Sequence, residues 1–139
     1  MGFISQNIYA VKPVIPFDSP ASYQDSVKNL ERLSLNFRFH SGSDLVDNKA
    51  LRDIERLTQY IYSNPGKQLY LFGFSDSIGD ANYNMILAEK RARTIEAALQ
   101  RRGIYAKVVK GFGEAMPIAS NMTKAGRNKN RRVEIWVDK

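Results

Sequence analysis

Asp76, Asn84 and Arg91 stand at spacings that a turn followed by a helix would gather into one polar cluster. The stretch from Gly73 to Ala92, GFSDSIGDANYNMILAEKRA, reads as a strand-like segment, a polar turn and a helix. On a helix beginning near Asn82, Asn84 and Arg91 are two turns apart, about 10 Å along one face. The inward stripe of that helix is Ala88, Ile95 and Leu99, with Leu87, Ala92 and Ala98 beside it, while Glu89, Lys90 and Arg93 point away. Asn84 and Arg91 fall in the middle of this apolar stripe. A guanidinium aimed at protein must be paired or must hold something. The carboxylate best placed by sequence is Asp76, in the turn just before. The two charges could close on each other, tying turn to helix, or wait for a ligand that carries both signs.

The elements that position these residues follow from periodicity. Pro13, Pro16 and Pro20 punctuate an extended start, so residues 1–22 are expected to form a linker or strap outside the core, with a short helix somewhere in Ala21 to Leu33. From Leu33 the run LSLNFRFH alternates, placing Leu33, Leu35, Phe37 and Phe39 on one face of a strand and Asn36 and Arg38 on the other. After the turn SGSD, Leu51, Ile54, Leu57, Tyr60 and Ile61 recur at helical steps until Asn64-Pro65-Gly66. Lys67 to Phe74 predicts a second strand, and the helix carrying the polar cluster ends at Arg101-Arg102-Gly103. Tyr105 to Val109 predicts a third strand. A glycine turn, a polar loop through Lys129 and a last strand RRVEIWV complete the chain. Right-handed crossovers put both helices on one sheet face. The expected fold is an α/β two-layer sandwich, βαβαβ(loop)β, with a mixed parallel/antiparallel sheet, its domain covering 33–139 after a strap at 1–32.

With 139 residues the chain can bury roughly two-thirds of its unfolded surface as one domain. The absence of cysteine removes disulfides, zinc-thiolate sites and thiol nucleophiles. A single histidine, His40, removes schemes that need several imidazoles and reads as a loop residue. No run approaches the ~20 apolar residues of a membrane span, so this segment is not expected to insert. The first residues lack a basic, apolar export signal. The charge is lopsided: residues 1–88 carry eight Lys/Arg against nine Asp/Glu, residues 89–139 thirteen against five. That imbalance favours an anionic partner, whether nucleic acid, anionic lipid or a polymer bearing carboxylates.

Gly73, Ser75, Asp76, Gly79, Tyr83, Asn84, Leu87, Arg91 and Ala92 resemble the OmpA-like C-terminal domain pattern, a TDxxG turn followed by YNxxLSxxRA. The likeness extends to Gly111 and Gly113, Pro117, the ending GRNKNRRVEI and the opening FRFHSGSDL. The chain departs from the pattern at Phe74, Ser75 and Ala88, where histidine, threonine and serine are usual. The resemblance implies a periplasmic, non-catalytic domain without a cofactor. It would hold peptidoglycan by the diaminopimelate of its stem peptide and anchor a larger envelope protein whose export signal and other domain lie upstream. Asp76 would accept from the ammonium of that amino acid, Arg91 would grip its carboxylate, and Asn84 would lie between them. Arg131 matches a position near the ligand carboxylates, with Arg132 pointing the other way on its strand. Ser41 matches a position that contacts the stem peptide, and Ser75 keeps the hydroxyl of the usual threonine.

Other readings stay open. GFGEAM fails the last glycine of a dinucleotide motif, and no nucleophile-base set stands out, so an enzyme is not expected. A nucleic-acid module would draw on the basic final third, with Tyr105, Phe112 and Trp136 as stacking platforms, although no nucleic-acid motif appears. The same fold could also serve as a protein-interaction module or a homodimer without wall binding.

Overall fold

A computed structural model describes residues 17–139. Its elements are α1 (Pro20–Ser26), a 3-10 turn (Val27–Asn29), β1 (Leu30–Arg38), α2 (Asn48–Ser63), β2 (Leu69–Gly73), α3 (Ala81–Gln100), β3 (Val108–Gly111), α4 (Lys124–Asn130) and β4 (Arg132–Asp138). Each helix begins at a side-chain cap. Ser19, Asp47, Asp80 and Thr123 accept from the backbone N–H of Ser22, Ala50, Tyr83 and Gly126 at 3.2, 2.8, 3.0 and 3.0 Å, satisfying donors that a first helical turn leaves free.

The strands form one sheet in the order β1-β4-β2-β3, with β4 antiparallel to both neighbours and β3 parallel to β2. The mixed α/β sandwich predicted from the pattern is therefore present. Alternation splits each central strand between two faces. Leu69 and Leu71 of β2 and Val133, Ile135 and Val137 of β4 join Phe37, Phe39, Ile54, Leu57, Ile95 and Leu99 in a core beneath α2 and α3.

The other face is also covered. Tyr70, Phe72, Phe74 and Phe112 pack with Phe17, Tyr23 and Leu30, so α1 and Phe17, two residues ahead of its Ser19 cap, lie across the sheet opposite the two long helices. The expectation that residues 1–22 stay outside the core fails at Phe17, which is buried; the stretch 1–16 with Pro13 and Pro16 lies outside the described residues. Large aromatic rings gain too much by leaving water to remain on a solvated strap.

Three boundaries also differ from the pattern. β1 begins at Leu30, ahead of Leu33. β3 is Val108–Gly111, which leaves Tyr105 72% exposed. The supposed loop before β4 contains the helix α4.

Two glycines set how close α3 lies to the sheet. A Cβ at Gly73 would collide with the backbone carbonyl of Ala88, and one at Gly111 with the backbone of Glu89. Ala88 and Ala92 complete this close approach. Gly73→Ala is expected to lower stability by about 1–3 kcal/mol through overpacking, read as a reduced urea midpoint.

Candidate functional site

The chain beyond β2 is fixed from two sides. Phe74 N–H donates to Arg132 O at 2.8 Å and Ser75 N–H to Gly113 O at 2.8 Å, which sets Ser75 and Asp76 at the end of the sheet. The following turn passes through Gly79 at φ 90°, a conformation that suits glycine, and enters α3 at the Asp80 cap. Asn84 closes that turn: its Nδ2 lies 3.3 Å from Asp76 O, 3.0 Å from Ile78 O and 3.2 Å from Glu114 Oε1.

Asn84 and Arg91 occupy the inward face of α3 as the stripe predicts, and both are buried. Arg91 is only 1% exposed. Its partners correct the sequence expectation, because Asp76 is not one of them. Nε donates to Ser43 O at 2.9 Å, Nη1 to Phe74 O at 3.1 Å and Nη2 to His40 O at 3.1 Å. The guanidinium thus ties α3 to the end of β2 and to the loop after β1, with the Phe39 ring 5.4 Å from its centre. Three of its five N–H groups are engaged, leaving two. Burial, then the nearby charge of Arg131, lowers its pKa to about 10 against the opposing pull of Asp76 and Asp44.

Asp76 is buried, 6% exposed, and pairs with Arg131 instead: Arg131 Nη1 donates to Oδ2 at 2.9 Å. Oδ1 accepts from Ile78 N–H at 3.0 Å. Arg131 is itself anchored, donating from Nε to Phe39 O at 2.8 Å. The Ser75 hydroxyl donates to Asp76 O at 2.9 Å. Ser41 is exposed at the rim.

All six sequence-predicted residues, Asp76, Asn84, Arg91, Ser75, Arg131 and Ser41, line one cavity of about 150 Å³. Gly79, Tyr83 and Leu87, which the sequence offers as part of the motif but not as ligand contacts, complete the walls together with Gly42 and Ile78. Two guanidinium groups face one carboxylate there, so the cavity holds both signs with positive charge in excess. Such an arrangement suits a small group carrying an ammonium and a carboxylate.

A second hollow of about 500 Å³ adjoins it and adds Lys124 and Arg127, two residues that the sequence pattern places in a loop and does not mark as a site. The basic bias of the final third was the available signal. This region is held by Asn130, which is fully buried: Oδ1 accepts from Ile118 and Ala119 N–H at 2.8 and 3.1 Å, and Nδ2 donates to Asn121 Oδ1 at 2.9 Å. Asn121 Oδ1 in turn accepts from Ser77 N–H at 3.3 Å, beside Asp76.

Among the aromatic residues that could stack bases, Phe112 is buried in the core and Trp136 is half-buried, its Nε1–H donating to Glu134 at 3.0 Å. Only Tyr105 of the three is exposed. Among the described residues no helix is long and apolar enough to cross a membrane, and no group of three acidic or histidine side chains could hold a metal.

Comparison with known proteins gives a consistent result. The OmpA family profile matches residues 38–131. Outer membrane porin F of Pseudomonas fluorescens is 32% identical over 114 residues, covering 81% of this chain and 35% of that protein. The peptidoglycan-binding protein ArfA of Mycobacterium bovis is 34% identical over 87 residues, covering 61% of this chain and 27% of that one. The chain thus spans about a third of the length of these curated relatives. The crystal structure of the peptidoglycan-associated lipoprotein from Burkholderia pseudomallei superposes with a TM-score of 0.69 at 26% identity, over 74% of this chain and 89% of that one. By sequence and by fold, the chain belongs to the OmpA family.

Proposed function

We propose that the domain binds peptidoglycan non-covalently through the diaminopimelate of the stem peptide, anchoring a larger envelope protein to the wall from the periplasm. The observation that carries this reading is the convergence of Asp76, Asn84, Arg91 and Arg131 on one small cavity. The names of two relatives, a peptidoglycan-binding protein and a peptidoglycan-associated lipoprotein, support it.

The chemistry follows from the groups left over. Asp76 has unused lone pairs beyond those facing Arg131 and Ile78, so an ammonium joins without displacing either. The two N–H groups that Arg91 keeps, with Arg131 beside them, receive the carboxylate. The Asn84 amide nitrogen closes the turn, which leaves its oxygen for the same ammonium. A zwitterion satisfies both signs at once, whereas a simple anion brings no donor to the open lone pairs of Asp76 and competes with it for Arg131, and this difference supplies selectivity.

Titration with diaminopimelate, followed by amide shifts, is expected to perturb residues 75–91 and the vicinity of Arg131. No perturbation there at millimolar ligand would overturn the reading. Affinity is expected to fall only modestly with salt, because the charges meet in a buried cavity; a steep log-linear fall would indicate phosphate-backbone binding instead.

A further inference from the structure

The 500 Å³ hollow and the smaller cavity share a wall made of Ser41, Asp76, Ile78 and Arg131, so they are two compartments of one depression. What distinguishes the larger compartment is Lys124 and Arg127. Its single carboxylate, Asp76, is already engaged by Arg131 at 2.9 Å. Lys124 and Arg127 have no carboxylate partner among the described ion pairs, so two cations stand uncompensated. Arg127 donates from Nη1 to Asn121 O at 2.9 Å, which fixes its guanidinium at the edge of the hollow. Asn121 is held in turn by the buried Asn130. An anchored guanidinium beside an exposed lysine head is suited to grip a carboxylate, the fork giving direction and the ammonium adding charge.

We infer that this compartment is a second carboxylate subsite, reading the stem residue joined to the diaminopimelate in the first. The inference rests on the peptidoglycan reading above. Both neighbours of diaminopimelate in a stem peptide carry the required group. The glutamate before it is joined through its side-chain carboxyl, which leaves the α-carboxylate free. An alanine after it at the end of the stem carries the terminal carboxylate. Either lies one residue from the zwitterion, and Ile78, 59% exposed on the shared wall, offers an apolar rest for the connecting methylenes.

Calorimetric titration of the wild-type domain, Lys124→Gln and Arg127→Gln tests this with four ligands. They are free diaminopimelate, alanyl-γ-glutamyl-diaminopimelate, the same tripeptide with its glutamate α-carboxylate amidated, and diaminopimelyl-alanine. The wild type is expected to bind at least one carboxylate-bearing peptide about 5- to 30-fold more tightly than free diaminopimelate. Each variant is expected to lose that gain and keep its affinity for the free amino acid. Loss of the gain on amidation assigns the subsite to glutamate, and a gain confined to diaminopimelyl-alanine assigns it to the terminal residue. Intact binding of diaminopimelate, with variants that match the wild type on every peptide, would overturn the subsite alone. No binding of free diaminopimelate by the wild type would overturn the cavity reading and the subsite with it. Lys124 is a surface residue, so its variant remains folded and informative whatever Arg127→Gln does.

Discussion

Replacing Glu134 by alanine is expected to cost about 3–5 kcal/mol of folding stability, because it strands a buried guanidinium. Arg132 is 1% exposed and Glu134 2% exposed, on the sheet face covered by α1. Arg132 Nε and Nη2 each lie 2.8 Å from Glu134 Oε2, and the guanidinium sits 3.8 Å over the Phe74 ring. The other carboxylate oxygen accepts from Tyr23 Oη–H at 2.6 Å and Trp136 Nε1–H at 3.0 Å. One carboxylate therefore balances a buried charge and fastens α1 to the sheet. The urea midpoint of Glu134→Ala should fall sharply. Adding Arg132→Met should recover the part of the loss that comes from the stranded guanidinium, leaving the part that comes from the unpaired Tyr23 and Trp136 donors. A loss below about 1 kcal/mol for the single variant would show that water reaches Arg132 and that the network is not closed.

The same network fixes a pH dependence. Burial alone would raise the Glu134 pKa, yet the Arg132 guanidinium, the Tyr23 hydroxyl, Arg32 and the Trp136 N–H together hold it below the usual carboxylate range. A depressed folded-state pKa means stability that is fully present above the unfolded value, about 4.3, and lost as pH falls through the folded value. Stability should hold down to about pH 5 and decline below it, with a shallower acid slope in Glu134→Gln. At the other extreme, burial and then the charge of Glu134 push the Tyr23 hydroxyl well above its ordinary value. Its contribution is complete below about pH 10 and is lost as alkali removes the proton.

How much of this was legible in the sequence depends on whether the cause is local. The Asn84 and Arg91 positions on α3 follow from helical period, and the capping aspartates and terminating glycines from adjacent residues. Partner choice does not. Asp76 and Arg131 meet across 55 positions, and the carbonyls that hold Arg91 lie 48 and 51 positions away for Ser43 and His40. Only the sheet order, with β4 inserted between β1 and β2, brings these groups together. The helix α4 escaped notice because KAGRNKN has no apolar stripe. It forms on the Thr123 cap and on Gly126, where a Cβ would strike Ser120. Tyr105 reads as strand by its type, but pairing with β2 begins only at Val108 opposite Tyr70. The Arg132–Glu134 pair lay in plain view as RRVE, yet nothing local says that an aromatic layer covers that face.

Asp76→Asn is expected to abolish sedimentation with purified sacculi while leaving the fold intact, and it is a cleaner test than any change at Arg91. The substitution keeps the shape of the side chain and an oxygen for Ile78 N–H, and removes only the charge. Arg131 loses its counter-ion, but its Nε bond to Phe39 O and its partial exposure keep it solvated and in place. The ligand ammonium then enters a cavity whose remaining ionic groups are both cationic. Loss of a nearly buried charge partner costs about 2–5 kcal/mol, or at least 30-fold in affinity. Arg91→Lys should behave differently. A lysine ammonium cannot meet three carbonyls that the guanidinium fork reaches in three directions, so the loop after β1 and the end of β2 lose their tie. That variant is expected to lose about 2–4 kcal/mol of stability together with ligand affinity. If Asp76→Asn retains both sacculus binding and diaminopimelate shifts, its charge serves to hold Arg131 rather than to receive the ammonium. If it unfolds, the Asp76–Arg131 pair is chiefly structural; if Arg91→Lys keeps its urea midpoint, the three carbonyl bonds contribute little and Arg91 is free to act as the carboxylate clamp.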